Sequence, residues 1–418
     1  MDDLGDHNTL HRFGMSNRTR IERPQRSRSV ASALAVAFAM ITFACGHAAE
    51  AGTREQAKRL FDRLTGTAPT PDQLDAFAAQ LDSGSSLESV AYSIIDPNSP
   101  TSSGFYRVVL KNFATPWTNR DQTAFAPLND YTATVIGMVR DGKDFRGVLY
   151  EDIVYIGNGV TPAYSTTDNA HYEALEYNNY DLRTVLVERT QSSLNGLLPS
   201  NATAGVITSR AAAEAFFIDG TNRAMFRFTL LNHLCRDLEQ VHDVRLPPDR
   251  IRQDVSRSPG GDSSVFLNNC IGCHNGMDPM AQAFAYYDFD ETQNRLVYTP
   301  GVVQPKYLIN SDNFKPGYVT TNDAWENRWR LPGPNTLLGW SPTLPGRGEG
   351  AKSLGQELAH SDAFAQCQVE KVFRHICFRS PSDSLDHQRV STIAAGFQNQ
   401  GGNMRRVFAQ VAAHCAGE

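Results

Sequence analysis

The sequence lacks the short motifs that announce many common reactions. It has no GxGxxG, no phosphate-binding P-loop, no HExxH and no GxSxG. It therefore gives no basis for a dinucleotide site, a helical zinc-protease site or a serine-hydrolase elbow. Basic charge is not in excess. The formal net charge is −6 over 418 residues, and no basic stripe interleaved with aromatics occurs beyond the N-terminal segment, so nucleic acid is not an expected partner. No unit of 20–50 residues repeats, which argues against a solenoid or propeller. Methionine thins out along the chain: after Met280 only Met404 remains. Long apolar runs are scarce as well. The clearest, "VASALAVAFAMITFAC" from Val30 to Cys45, has sixteen residues, short for a membrane span.

That run follows Arg18, Arg20, Arg23, Arg26 and Arg28 and precedes the small residues of "GHAAEA". Basic flank, short apolar stretch and small-residue exit together read as a secretory signal over residues 1–48, with export to the periplasm or beyond. An uncleaved anchor is the rival reading. Lipidation at Cys45 is another, although Thr42 and Phe43 suit a lipobox poorly; it is the one route by which a membrane association is expected. Residues 1–48 carry six Arg and four acidic residues, so their removal takes the formal net charge from −6 to −8.

Seven cysteines divide under this reading. Cys45 lies in the leader, Cys270 and Cys273 form a CxxC, and Cys235, Cys367, Cys377 and Cys415 remain. Four cysteines in an exported chain predict two disulfides, of which three pairings are possible. The alternative is buried free thiols.

The length exceeds what one compact core usually holds, and the hydrophobic content of 41% suffices to build cores. Helical signals dominate, so the expected class is mainly α. Thr53 is placed to cap "REQAKRLFDRL". Thr70, Pro71 and Gln73 form a capping-box pattern, and Ser86 heads "LESVAYSII". Thr208 and Thr221 are expected to open two further helices, the second with Met225, Phe228, Leu231 and Cys235 on one face. Asp144–Gly157 reads either as a helix followed by a strand or as an extended segment. Residues 158–205, rich in polar and turn residues, read as a surface excursion. Pro247-Pro248 and "SRSPGGDSS" mark a boundary. We therefore expect an N-terminal helical accessory domain over residues 49–245. A second helical domain over 246–418 is expected to carry a long Pro/Gly/Trp-rich loop insertion, ending in the helical patterns "AKSLGQELAHSDAFAQCQVEKVFRHICF" and "DHQRVSTIAAGFQNQGGNMRRVFAQVAAHC", the latter broken near Gly401-Gly402.

The chemistry concentrates in "NNCIGCHNGMDPM", Asn268 to Met280. C-x-x-C-H is the haem-attachment signature for a physical reason. Two thiols one helical turn apart can add to two vinyl groups on one edge of haem, and the adjacent imidazole then reaches the iron. Cys270 and Cys273 are thus the expected attachment residues and His274 the axial ligand of one haem c. A zinc site would need a second Cys/His pair, and the remaining cysteines are not spaced as CxxC. A thioredoxin-like redox pair would need a buried strand before the motif, for which "VFLNN" offers thin support. For the opposite axial position Met277 lies on the same side as His274, and Met280 meets the same objection. Met225, His233, His242, His360, His375, His387 and His414 are further candidates. Met404, in a Gly-rich break beside the last helix, has the most loop-like setting and is the expected metal ligand. Asp278-Pro279 reads chiefly as a turn, with orientation of His274 as the alternative. Tyr286, Tyr287 and Phe289 are placed to pack near the porphyrin; Trp325, Trp329 and Trp340 either wall the same pocket or anchor the long loop.

The stretch "CIGCHNGMDPMAQAFAYYDFDETQNR" resembles the C-x-x-C-H-x-x-M-D-P signature of planctomycete-type bacterial cytochrome c-like domains of unknown function. "LGQELAHSDAFAQCQVEKVFRHIC" and "RLFDRLTGTAPTPDQLDAF" are similar to helical segments of the same family. The resemblance covers about half of the exported chain. It departs from the pattern where Met280-Ala281 stand in place of a glycine that often follows Met-Asp-Pro. The resemblance implies an exported single-haem cytochrome c-like domain joined to a helical accessory domain. It carries Cys270 and Cys273 as thioether cysteines and His274 as axial ligand, and brings no established activity. Two functions follow as expectations: electron transfer with a redox partner protein, or a peroxidase- or oxidase-like haem enzyme with an open distal site. A third is a binding role for the N-terminal region.

Overall fold

Thr70 shows how the sequence builds the first helices. Its hydroxyl accepts from Gln73 N at 3.3 Å while Gln73 Oε1 accepts from Thr70 N at 2.9 Å, with Pro71 at the first helical position. Both reciprocal bonds satisfy donors that the helix start would otherwise orphan. The computed structural model describes residues 52–218, 220–251, 263–308 and 318–417. The leader expected over residues 1–48, Cys45 with it, lies outside the described residues, as does most of the "SRSPGGDSS" boundary segment.

The structure is 58% helical and 7% strand, so the chain is mainly α. The N-terminal helices are α1 (Thr53–Thr65), α2 (Pro71–Asp82) and α3 (Leu87–Ile94). Ser86 caps α3 as expected, its hydroxyl accepting from Ser89 N. Gly52, not Thr53, occupies the cap of α1. The chain continues through helical turns over Phe105–Ala114 into α4 (Asp130–Arg140). After α4, Phe145–Leu149 forms a short helical turn and Val154–Gly157 forms strand β1, so the ambiguous segment is helix followed by strand.

Residues 158–205 are not a surface excursion. They hold α5 (Ala170–Tyr177) and β2 (Leu186–Arg189), and β2 pairs antiparallel with β1, Ile156 opposite Val187. Tyr172, Leu175, Leu182 and Leu198 are buried beneath the polar turns that dominate the composition. Helices α6 (Arg210–Phe216) and α7 (Arg223–Leu234) follow. Ser209, rather than Thr208, caps α6, and Asn222 rather than Thr221 precedes α7. The buried face of α7 is Met225, Phe226, Thr229, Leu230 and His233, with Phe228 and Leu231 only partly covered. The helix stops at Cys235, whose backbone is left-handed (φ 53°).

The second half begins with the motif helix α8 (Ile271–Ala281). The expected loop insertion is ordered by two short antiparallel pairs. One joins β3 (Tyr287–Asp290) to β4 (Arg295–Tyr298), the other β5 (Ala324–Glu326) to β6 (Arg347–Glu349). Four helices close the chain: α9 (Gly350–Ala359), α10 (Asp362–Cys377), α11 (Ser384–Asn399) and α12 (Met404–Ala416). The pattern read as one helix over 351–378 is broken at Ser361, whose side chain caps α10 by accepting from Phe364 N. The break at Gly401-Gly402 is present, both glycines having positive φ.

One hydrophobic core runs from Ala57 in α1 to Ala416 in α12. The last helix packs on α1, α3 and α10, across the boundary expected between residues 245 and 246. Arg63 on α1 donates to Cys415 O at 2.8 Å. Two disulfides form, Cys235–Cys367 and Cys377–Cys415, with Cα atoms 5.2 and 5.6 Å apart. The first ties the end of α7 to α10; the second ties α10 to α12.

Candidate functional site

The CxxCH stretch enters on a wide helical turn over Phe266–Cys270 that runs without interruption into α8. The turn expected at Asp278-Pro279 is absent: α8 continues through Pro279 to Ala281. Proline has no N–H to give Asn275 O its bond four residues on. The helix is held there by tertiary bonds instead, among them Asn275 Nδ2 to Leu246 O at 2.8 Å.

Staying helical gives Asp278 its role. It lies one turn after His274, and its Oδ1 is 2.9 Å from His274 Nδ1. Arg223 on α7 grips the same carboxylate with both arms, Nε to Oδ1 at 3.0 Å and Nη2 to Oδ2 at 3.1 Å. Asp278 is 2% exposed. Burial alone would favour the neutral acid, but the charges of Arg223 and His274 and the hydrogen bonds from both hold its carboxyl well below the usual range. When the ring is neutral, a carboxylate accepting from Nδ1–H fixes the tautomer of His274 and leaves Nε2 able to ligate.

The two thiols are unpaired and partly buried. Cys273 Sγ lies 3.5 Å from Leu238 O, which accepts from it. Burial pushes the Cys273 thiol up from its ordinary value, and Glu239 and Asp237 push the same way. A redox-active CxxC depends on a thiolate stabilised by positive surroundings, and these surroundings are apolar and acidic. The zinc reading gains no support either. Among the described residues no three His, Cys, Asp or Glu side chains gather in a group able to hold a metal ion.

The opposite side of α8 is packed tightly by two rings. A Cβ on Gly272 would fall 2.1 Å from His242 Nε2, and one on Gly276 would fall 2.0 Å from Trp329 Nε1. These positions are four apart and share a helix face, so both glycines admit rings that any larger residue would displace. Asp243 N also donates to Gly272 O at 3.0 Å. Beside the motif, Phe266 and Ile251 form a small apolar cluster with Cys270 and Ile271, detached from the main core. The Phe266 ring centroid is 6.5 Å from that of His274.

Other expected residues fall elsewhere. Tyr287 stacks on Phe217 at 5.6 Å and donates to Ala202 O, so it belongs to the main core. Tyr286 pairs with Tyr298, and Phe289 is buried in the same region. Trp325 is an anchor, donating to Ser353 Oγ at 2.7 Å. Trp329 touches the motif helix and carries Trp340 stacked on it at 6.4 Å. Met404 is not in a loop. It is the first residue of α12, buried, behind the capping residue Asn403. Helix α12 packs on α1, α3, α4, α10 and α11, whereas α8 packs on α7, the 237–241 turn, β5 and the Trp329 turn. The structure brings Cys270, Cys273 and His274 together and does not bring Met404 to them. Arg223 escaped the sequence reading. The His-x-x-x-Asp spacing was its only local trace, and it pointed to Asp278 rather than to the arginine 55 residues away.

Compared with known family models, with curated proteins and with solved structures, the chain matches none.

Cys270, Cys273 and His274 are the residues that could hold a covalently attached haem: two unpaired thiols three residues apart, a following histidine anchored through Nδ1, and an apolar edge at Phe266 and Ile251.

Proposed function

We propose that this chain is an exported single-haem c-type protein that passes electrons to or from a redox partner protein. The observation that supports it best is the Arg223–Asp278–His274 chain of contacts, built onto a CxxCH whose cysteines are both unpaired. Asp386 and Arg379 hold His414 in the same way elsewhere in the fold, so it is the CxxCH beside His274 that makes this anchored imidazole a ligand candidate.

When bound, the haem supplies one-electron chemistry at its iron. The chain's own residues do the rest. Cys270 and Cys273 hold the group covalently, which retains it in an open compartment. Asp278 keeps the proton on Nδ1 and strengthens His274 as a donor through Nε2. Arg223 balances the buried charge of Asp278. Phe266 and Ile251 keep water from one edge, and burial together with ligand strength sets the reduction potential. Residues 246–418 are then the cytochrome c-like part and residues 49–245 the helical accessory part, sharing one core. The two disulfides suit an oxidising compartment, in keeping with export by the segment 1–48. No helix among the described residues is long and apolar enough to cross a membrane.

The test is expression in a host with haem-attachment machinery, followed by denaturing electrophoresis and haem staining. The wild-type chain should retain haem through denaturation, and Cys270→Ala combined with Cys273→Ala should lose it. Haem retained by the double variant, or absent from the wild type, would falsify the proposal.

A further inference from the structure

We infer that, were Cys270, Cys273 and His274 to hold a haem, no other histidine or methionine among the described residues would ligate its iron, which would leave it open to a small ligand such as carbon monoxide. The inference rests on the haem reading above and adds a binding site to it.

Methionine and histidine are the side chains that most often close that position. Beyond residue 50 the sequence has five methionines and eight histidines, and all of them lie within the described residues. The methionines are all in the main core, none more than 3% exposed. Met277 and Met280 belong to the motif helix itself, on the side from which His274 approaches. Met225 follows Arg223 by two residues, a rotation of about 200° around α7, so with Arg223 reaching Asp278 the methionine faces away from the motif. Met138 on α4 and Met404 on α12 are held by elements that do not pack on α8.

The histidines are committed in a similar way. Both ring nitrogens of His171 are bonded, to Gly157 N and Pro162 O. His233 meets the Tyr131 hydroxyl at 2.7 Å beneath the Phe364 ring. His360 bonds Gln356 O and stacks on Tyr150. His375 bonds Val109 O, and His414 bonds Asp386. His387 is exposed on α11, which packs on α10 and α12. His242 is the one that touches the motif, and it does so at Gly272. That position lies two residues, again about 200°, from His274, which puts the ring on the far side of the helix from the axial imidazole.

Besides Asp278, His274 has the Phe266 ring beside it, and Phe266 clusters with Ile251. An imidazole anchored through a carboxylate, with no second histidine or methionine to compete for the iron, would leave it able to take a small neutral molecule. This is the arrangement an open haem enzyme of the peroxidase or oxidase type would share.

The experiment uses the full exported chain loaded with haem. Haem staining after denaturation and the alkaline pyridine spectrum come first; if they show no c-type haem, the haem reading fails and this inference fails with it. With one haem per chain established, the reduced protein is titrated with carbon monoxide and the oxidised protein with cyanide. The expected result is a high-spin spectrum whose Soret band shifts and saturates at one carbon monoxide per haem. A low-spin spectrum unmoved by carbon monoxide overturns the inference while leaving the haem reading intact. In that case Met404→Leu and His242→Ala would show which ligand closes the site, by converting the spectrum to high spin.

Discussion

Asp278 Oδ1 lies 2.9 Å from His274 Nδ1, one helical turn after it on the same helix, and Arg223 holds the other side of that carboxylate. The negative charge on Asp278 favours a more electron-rich imidazole and so the oxidised state of any metal that Nε2 binds. Asp278→Asn should therefore raise the reduction potential. Each tenfold change in the ratio of the two oxidation states' stabilities would read as roughly 60 mV for a one-electron couple. Arg223→Leu should move the potential the other way, because it leaves the carboxylate uncompensated. It should also destabilise the fold by about 3–5 kcal/mol, the cost of a buried charge stripped of its partner. Potentiometric titration of the two variants checks the signs; equal shifts in one direction would exclude an electrostatic role.

The two glycines on the far face of α8 are predicted to differ in tolerance. At Gly276 an added methyl meets the ring of Trp329, which is 1% exposed, stacked on Trp340 and packed at a tilt against Phe226. At Gly272 it meets the ring of the exposed His242, which can swing into solvent. Gly276→Ala should cost about 1–3 kcal/mol through overpacking, only partly offset by the better helix propensity of alanine. Gly272→Ala should be close to neutral. Urea unfolding followed by tryptophan fluorescence measures both, and a Gly272→Ala variant as unstable as Gly276→Ala would show that His242 is fixed rather than resting.

The features read correctly from sequence are local ones. The Thr70 capping box, the Ser86 cap and the Gly401-Gly402 break depend on a few neighbouring residues, and each formed where the pattern put it. So did the mainly helical class and the two disulfides among Cys235, Cys367, Cys377 and Cys415. Readings that failed needed long-range information. Residues 158–205 look like a loop because their turns are polar, yet β2 finds its partner β1 some thirty residues earlier, and Tyr172 and Leu182 reach the core. The supposed turn at Asp278-Pro279 follows from proline's local preference, which tertiary bonds to Asn275 and Asp278 override. Met404 looked loop-like because of the glycines before it, but those glycines end one helix and Asn403 starts the next. Arg223 carries no local signal, since its meaning lies in a residue on another helix.

The disulfides make a separate prediction. Cys235–Cys367 spans 132 residues and Cys377–Cys415 spans 38. A cross-link restricts the unfolded chain more when it closes a longer loop. Removing either by a paired Cys→Ala substitution should cost about 2–5 kcal/mol, the Cys235–Cys367 pair more than the other. Non-reducing peptide mapping should recover these two pairings, and a Cys270–Cys273 disulfide in haem-loaded protein would contradict the thioether assignment.

Asp386 sets the acid limit of the C-terminal corner. Its carboxylate is buried and paired with Arg379; it also accepts from Ser382 N at 2.9 Å and meets His414 Nε2 at 2.8 Å. The Arg379 hydrogen bond, with His414 and the backbone, holds its carboxyl well below the usual range against the effect of burial. The unfolded chain has an ordinary aspartate near 3.9. Between pH 7 and about 5 both states are ionised and this contribution to stability is fully present. As pH falls further, the unfolded state takes up the proton first, and the contribution is lost progressively until the folded carboxyl also protonates. Wild-type protein should thus lose stability steeply below about pH 4. Asp386→Asn should be less stable at pH 7, through loss of the ion pair, and should show a shallower decline in acid. Since Cys377 and Cys415 flank the same corner, the comparison is made with the disulfide intact. Parallel urea-midpoint curves for the two proteins from pH 7 to 2.5 would show that Asp386 is not the group responsible.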